Sequence, residues 1–186
     1  MRGEVGCYQS HLAVWRKLSE GPSNFALVLE DDVVFHQNFI AALDCAMIHQ
    51  EKWDLLKLNK IRAKQPIKQW SDGGWVFNAY LGPATGCGAY LIKRDLACKL
   101  LPQFLPVVRP IDHEIDRNFY YNFNHFGLEP FASHVEDHGQ STITGTHFVG
   151  VQKFVWYKRL SVYYGSWKNL FSKLIYFWKN GHLFKK

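Results

Sequence analysis

The sequence predicts an α/β fold, and three observations carry that expectation. An amphipathic segment runs from Glu4 to Ser19 and stops at Gly21-Pro22-Ser23; a β-type run, Phe25 to Phe35, follows at once; and strand-length apolar stretches then alternate with helical spacing as far as Phe123. Helices interleaved with strands along one chain are the pattern of a sheet covered by helices.

Taken in order, Val5, Tyr8, Leu12, Trp15 and Leu18 keep near-helical spacing and give the first helix. In the run FALVLEDDVVF the apolar residues call for a strand, but Glu30, Asp31 and Asp32 interrupt it. In a continuous strand Glu30 and Asp32 would share a face about 7 Å apart. They would repel by about 2 kcal/mol at an effective dielectric of roughly 20. A divalent cation turns that repulsion into attraction, and carboxylate oxygens suit Mg²⁺ or Mn²⁺, which commonly bridge protein to substrate phosphates. The expectation is a metal and phosphate site at the carboxyl end of a buried strand; the alternative is three solvated acids in a turn.

Phe39, Ile40, Leu43, Ala46 and Met47 predict a helix over 38–50, and WDLLKL over 53–58 the next strand, with Trp53 packing in the core. Residues 60–74 are polar, contain Pro66 and Gly73-Gly74, and read as a loop beside the site. Strands are expected over 75–80 and 85–93, then a helix over 94–101. Ile115, Phe119 and Phe123, at i, i+4 and i+8, predict a helix opening at Asp112, with Asp112 and Asp116 on one face.

A chain of 186 residues, 47% hydrophobic and 16% aromatic, suits a domain with a real core and excludes a low-complexity protein. Cys7, Cys45, Cys87 and Cys98 form no CxxC pair, so reduced thiols and a cytoplasmic location are expected. No apolar stretch reaches the roughly 20 residues of a membrane span. The net charge of +6 is uneven: Val151 to Lys186 holds eight Lys/Arg and no acid. The expected division is a domain over 1–150 and a basic aromatic tail over 151–186. Within the tail Trp167, Leu170, Phe171, Leu174, Ile175 and Trp178 form a helical stripe, with Ser166 and Gly181 as caps. The stripe suits either an anionic membrane surface, through 166–179, or packing against the core; charges joined to a continuous apolar stripe exclude nucleic acid as the expected partner.

Three blocks, GEVGCYQSHLAVWRKL, ALVLEDDVVF with WDLLKL, and TGCGAYLIKRDLACKLL leading to PIDHEIDRNF, resemble the bacterial lipooligosaccharide glycosyltransferases of family 25, which include β-galactosyltransferases and relatives of the collagen galactosyltransferases. The resemblance implies a GT-A-like, Rossmann-like fold for nucleotide-diphospho-sugars. In such folds a divalent metal, Mn²⁺ or Mg²⁺, is held by an Asp-x-Asp-like motif at a strand end. Here Glu30-Asp31-Asp32 fills that place, with Asp32 and Glu30 toward the metal and Glu30 or Asp31 toward the donor. Gln9, Ser10 and His11 match a segment that lies near the donor in the family. The implied activity is transfer of a hexose, galactose from UDP-galactose, to a lipooligosaccharide or lipopolysaccharide acceptor, by an enzyme peripheral on the inner face of the cytoplasmic membrane. Members usually begin with a strand unit ahead of the GEVGC-type helix, whereas this chain starts almost on that helix. A short form of the fold is therefore expected, and the alternative function is an inactive remnant serving as a glycan- or membrane-binding module.

Transfer with inversion needs a base for the acceptor hydroxyl and positive charge for the departing diphosphate. Asp112 and Asp116 are the base candidates, Asp112 matching an acid that follows a proline in the family; the competing role for Asp112 is N-cap. His134, Glu136, Asp137 and His138 lie in HVEDHGQSTI, and His138, beside Gly139, is the candidate histidine of the metal shell. Trp70 and Trp75 flank residues 71–74 and are the expected sugar-stacking, acceptor-binding residues. A phosphoester hydrolase would need further His/Asp metal spacing, which the sequence does not supply.

Overall fold

A computed structural model describes residues 2–136 and 160–183. A six-stranded mixed sheet runs through the middle, in the order β1-β8-β3-β9-β6-β5. Its strands are β1 (Phe25–Leu29), β3 (Leu55–Lys57), β5 (Pro66–Asp72), β6 (Trp75–Tyr80), β8 (Ala89–Lys93) and β9 (His125–Glu129). Only β3 and β9 pair in parallel.

Side-chain alternation along the strands splits the core into two layers. Val28, Leu55, Tyr90 and Ile92 join Tyr8, Leu12 and Trp15 of helix α1 (Arg2–Glu20) and Leu96 and Leu100 of α3 (Arg94–Leu100). Their neighbours Leu56, Ala89 and Leu91 point the other way, onto Phe39, Ala42 and Ala46 of α2 (Phe39–Ile48) and onto Tyr176 and Phe177 of α6 (Leu160–Lys179). Trp53 is fully buried and its Nε1 donates to Ala46 O at 2.9 Å, so it packs in the core as expected.

Several sequence expectations are corrected. β1 is an edge strand, bonded only to β8; α1 covers one of its faces, so Val28 is buried while Leu27 and Leu29 remain exposed. The strand stops at Leu29, and the acids occupy the turn before β2 (Val33–Phe35), so Glu30 and Asp32 are not neighbours on a strand face. Residues 60–74 are mostly β-structure. After β4 (Arg62–Ala63), β5 forms a hairpin with β6 in which Gly73 and Gly74 take φ of +54° and +86°, the two positive values that a tight hairpin turn needs. The expected strand over 85–93 is broken at Gly86 (φ +110°), so β7 (Ala84–Thr85) pairs with β4 while β8 joins the main sheet.

The helix expected from Asp112 is two short ones, α4 (Ile111–Ile115) and α5 (Asn118–Tyr121). Buried Glu114 draws Arg109, Arg117 and the Tyr121 hydroxyl around its carboxylate, and Arg117 leaves helical geometry to do so. Pro110, not Asp112, is the N-cap residue of α4. The last pair of strands, β2 and β10 (Ser133–Val135), forms a separate ribbon.

Helix α6 begins before Ser166, which is therefore not its cap. It ends at Gly181 (φ +67°), where His182 N bonds Phe177 O at 2.8 Å and Gly181 N bonds Trp178 O at 3.2 Å, the paired bonds of a glycine-terminated helix. The helix is tied to the domain by Tyr176 Oη donating to Phe123 O (2.9 Å) and by Gln69, whose Nε2 donates to His182 O and whose Oε1 meets His182 Nδ1 at 2.7 Å. The boundary expected at residue 150 lies outside the described residues.

Candidate functional site

The sheet ladder continues one bond past β1: Glu30 N donates to Gly88 O at 2.8 Å. Gly88 is required there, because a Cβ would sit 2.7 Å from Val135 Cγ2 and 2.8 Å from Asn59 Nδ2. This bond fixes where the chain leaves the sheet and aims the acidic turn at the exposed side of α1. A cleft of about 550 Å³ results, lined by residues that include Cys7, Ser10, His11, Glu30, Asp31 and Asp32. Five of the residues expected from sequence thus meet in one place. Gln9, on the same helix, is exposed and does not line the cleft.

His11 is the buried member of this group. Its Nδ1 lies 2.8 Å from Tyr90 Oη, which also receives the indole N–H of Trp15 at 2.9 Å. Tyr90 is fully buried and its own O–H needs an acceptor, which His11 Nδ1 provides. That assignment leaves the proton on Nε2, facing Glu30 Oε1 at 3.5 Å. Cys7 sits one turn before His11, and its Sγ donates weakly to the same Glu30 oxygen at 3.9 Å. Burial first, then the charges of Glu30 and Asp112, push the Cys7 thiol up to about 11.

Cys7, His11 and Glu30 bring their ligand atoms within 4.8 Å of one another, whereas the three acids alone do not converge as a group. With the thiol protonated at neutral pH and the His11 proton on Nε2, the ligand atoms available in the cleft are the carboxylate oxygens of Glu30, Asp31 and Asp32. Hard oxygen donors of that kind suit a divalent cation such as Mn²⁺ or Mg²⁺.

Asp112 and Asp116 both turn toward the β7–β8 connection, with different partners. Asp112 Oδ2 accepts from Gly86 N at 3.1 Å and Oδ1 from His113 N at 2.8 Å. Asp116 Oδ1 accepts from Ala84 N at 3.0 Å and pairs at 2.9 Å with Lys173 Nζ, a buried lysine brought in by α6. Among the described residues Asp112 has no cationic partner, whereas Asp116 has Lys173. Burial lowers the Lys173 pKa, opposed by Asp116.

Lys57, a residue the sequence reading passed over, is fully buried in β3. Its Nζ donates to Gly86 O and, at 3.8 Å, to Cys87 Sγ. It supplies positive charge beneath the loop that Asp112 holds. Burial pushes the Cys87 thiol up to about 12; Lys57 opposes this, while Asp112 and Glu30 reinforce it. The signal available in sequence was a lysine inside an otherwise apolar strand.

Other expected residues fall elsewhere. Trp75 is buried, and Trp70 stacks on Phe77 at 4.4 Å and meets Phe126 edge-on at 5.2 Å. β5 is also five strand spacings from β1, roughly 24 Å away. Of the two expected acceptor-binding rings, Trp75 is buried and Trp70 is half-buried against Phe77. His134 Nδ1 meets His36 Nε2 at 2.8 Å, a pairing across the β2–β10 ribbon that sequence reading missed. Glu136 N donates to Asp32 O at 3.0 Å, which ties the ribbon to the acidic turn. Asp137 and His138 lie outside the described residues.

Residues 1–115, from α1 through α4, match the family model "Glycosyltransferase family 25 (LPS biosynthesis protein)". Among curated relatives, the chain is 26% identical over 164 residues to a glycosyltransferase 25 family member of Anopheles gambiae, covering 82% of this chain and 27% of that protein. It is 27% identical over 173 residues to procollagen galactosyltransferase 1-B of Xenopus laevis, covering 83% and 26%. It is 38% identical over 148 residues to the probable inactive glycosyltransferase 25 family member 3 of Bos taurus, covering 71% and 24%. These relatives are animal proteins, and the chain spans about a quarter of their length. The matched region contains the helix and the acidic turn that line the cleft, together with the Asp112 loop, and the chain belongs to glycosyltransferase family 25.

Proposed function

We propose that the cleft at the end of β1 binds a metal–nucleotide-sugar diphosphate in a GT-A-like fold, and that the chain transfers a hexose from it to a saccharide hydroxyl. The convergence of His11 with Glu30, in a cleft also lined by Asp31 and Asp32, carries this reading. The donor is UDP-galactose, a choice supported by a relative named procollagen galactosyltransferase; the acceptor is a lipopolysaccharide-type saccharide, supported by the family description.

Carboxylate oxygens of Glu30, Asp31 and Asp32 would hold the cation, which when bound neutralises diphosphate charge, while the His11 Nε2–H steadies the Glu30 carboxylate. Tyr90 fixes the His11 ring, and the Glu30–Gly88 bond fixes the turn, so neither group needs to reorganise when donor enters. Asp112 takes the proton of the acceptor hydroxyl as that oxygen bonds the anomeric carbon and the bond to the diphosphate breaks. Asp116, neutralised by Lys173, is a positioning residue for the loop that Asp112 also holds.

A UDP-release assay with Mn²⁺, saccharide acceptors and a panel of UDP-sugars tests the reading. Turnover should require Asp32 and Glu30 and prefer UDP-galactose; turnover unchanged in Asp32→Ala would remove the metal argument. A second reading, a non-catalytic glycan-binding member, is favoured by the 38% identity to a relative named probable inactive. It gives saccharide binding without UDP release in the same assay.

A further inference from the structure

We propose that the outer face of α6 seats the protein on an anionic lipid bilayer surface. The helix lies on the domain the reverse of the way its apolar stripe alone would suggest. Lys173, Tyr176 and Phe177 face inward and are buried, while Trp167, Phe171, Ile175 and Trp178 are 62%, 57%, 53% and 64% exposed. These four fall at i, i+4, i+8 and i+11, so they form one ridge about 17 Å long. The domain has already satisfied the polar side of this helix: Lys173 pairs with Asp116 and Tyr176 bonds Phe123 O. The exposed ridge is therefore not an unused part of the core-packing face.

The ridge has the composition of an interfacial helix, with tryptophan at each end, aliphatic and phenyl groups between, and exposed Lys168 and Lys179 beside it. The segment from Val151 to Lys186 carries eight Lys/Arg and no acid, and with Lys173 paired to Asp116 the other seven leave a positive charge that complements an anionic surface. A second copy of the chain fits less well. Ridge-to-ridge pairing about a two-fold axis would face Lys168 and Lys179 with their own equivalents and offer no carboxylate. Among the described residues no helix is long and apolar enough to cross a membrane, so α6 would lie along the surface with its ridge in the headgroup region. This inference stands apart from the transfer reaction, since neither donor nor acceptor enters it.

Flotation of the full chain with vesicles of phosphatidylglycerol and phosphatidylcholine, against phosphatidylcholine alone, tests it. The expected result is binding to the anionic vesicles that weakens with added salt. Binding should fall about tenfold or more in Phe171→Asp, which removes an apolar anchor. A comparable fall is expected in Lys168→Glu/Lys179→Glu. Both sites are exposed, and an unchanged circular dichroism spectrum shows that the variants fold. Absence of flotation, flotation indifferent to Phe171→Asp, or a dimer on size-exclusion light scattering that Phe171→Asp splits without any lipid binding would each overturn the proposal.

Discussion

Asp112 and Asp116 lie four residues apart on one helical turn, yet their neighbours assign them different work. Asp112→Asn keeps an oxygen for the loop but loses the basic oxygen, so turnover is expected to fall about 10²- to 10⁴-fold with little change in unfolding free energy. Asp116→Asn keeps an acceptor oxygen but removes the negative charge that offsets the buried Lys173 ammonium, at a cost of about 3–5 kcal/mol. Steady-state kinetics and urea unfolding on the two variants check the pair; equal effects on turnover without the stability difference would contradict the assignment. The sequence placed both acids correctly on one face, but not their partners. Lys173 comes from a helix 57 residues further on, and no local pattern records such a meeting. Lys57 escaped notice for a related reason: a single lysine in an apolar strand looks like an edge residue until the sheet places β3 between two other strands.

At the scale of elements, the helices α1 and α2 were legible because their apolar spacing repeats over several turns. The β5–β6 hairpin was not, because its strand carries Lys68, Gln69 and Ser71 among its apolar residues and its Gly-Gly turn has the composition of a loop. For α6 the stripe was visible but not which side the domain uses. The answer came from Tyr176 and Phe177, which share the face of Lys173 and pack on Phe126 and the sheet. Phe177→Ala is therefore expected to cost about 3–5 kcal/mol. Phe171→Ala, on the exposed ridge, should change stability by less than about 0.5 kcal/mol. Urea denaturation of the two variants measures the difference directly, and equal costs would mean the helix is rotated from the orientation described.

Across the whole molecule, several buried acids of the neutral type favour the protonated state. Burial lifts the Cys7 thiol from its usual 9.0 to about 11, the Cys87 thiol to about 12 and the Tyr8 hydroxyl from 10.0 to about 12. In the unfolded chain these groups release protons from about pH 9 upward, while the folded protein retains them. Their contribution is thus fully present below pH 9 and is lost as pH rises toward 11 to 12. Unfolding free energy measured against pH should be level across neutral pH as far as these groups are concerned and fall above 9; no fall would mean the thiols are open to solvent. At this scale the α/β class and the family were legible in the sequence, because the blocks that carry them are contiguous. The surroundings of Trp70 and Trp75 were not, since the burial of Trp75 and the stacking of Trp70 on Phe77 arise from sheet packing that local spacing does not record.

The central claim is that the acidic turn, with His11, is a cation-dependent diphosphate site. Calorimetric titration of UDP into the chain, with and without Mn²⁺, tests it most directly. Binding is expected only with Mn²⁺, lost in Glu30→Gln and weakened in His11→Gln; UDP binding that is absent with Mn²⁺, or unchanged by Glu30→Gln, would contradict a cation-dependent diphosphate site.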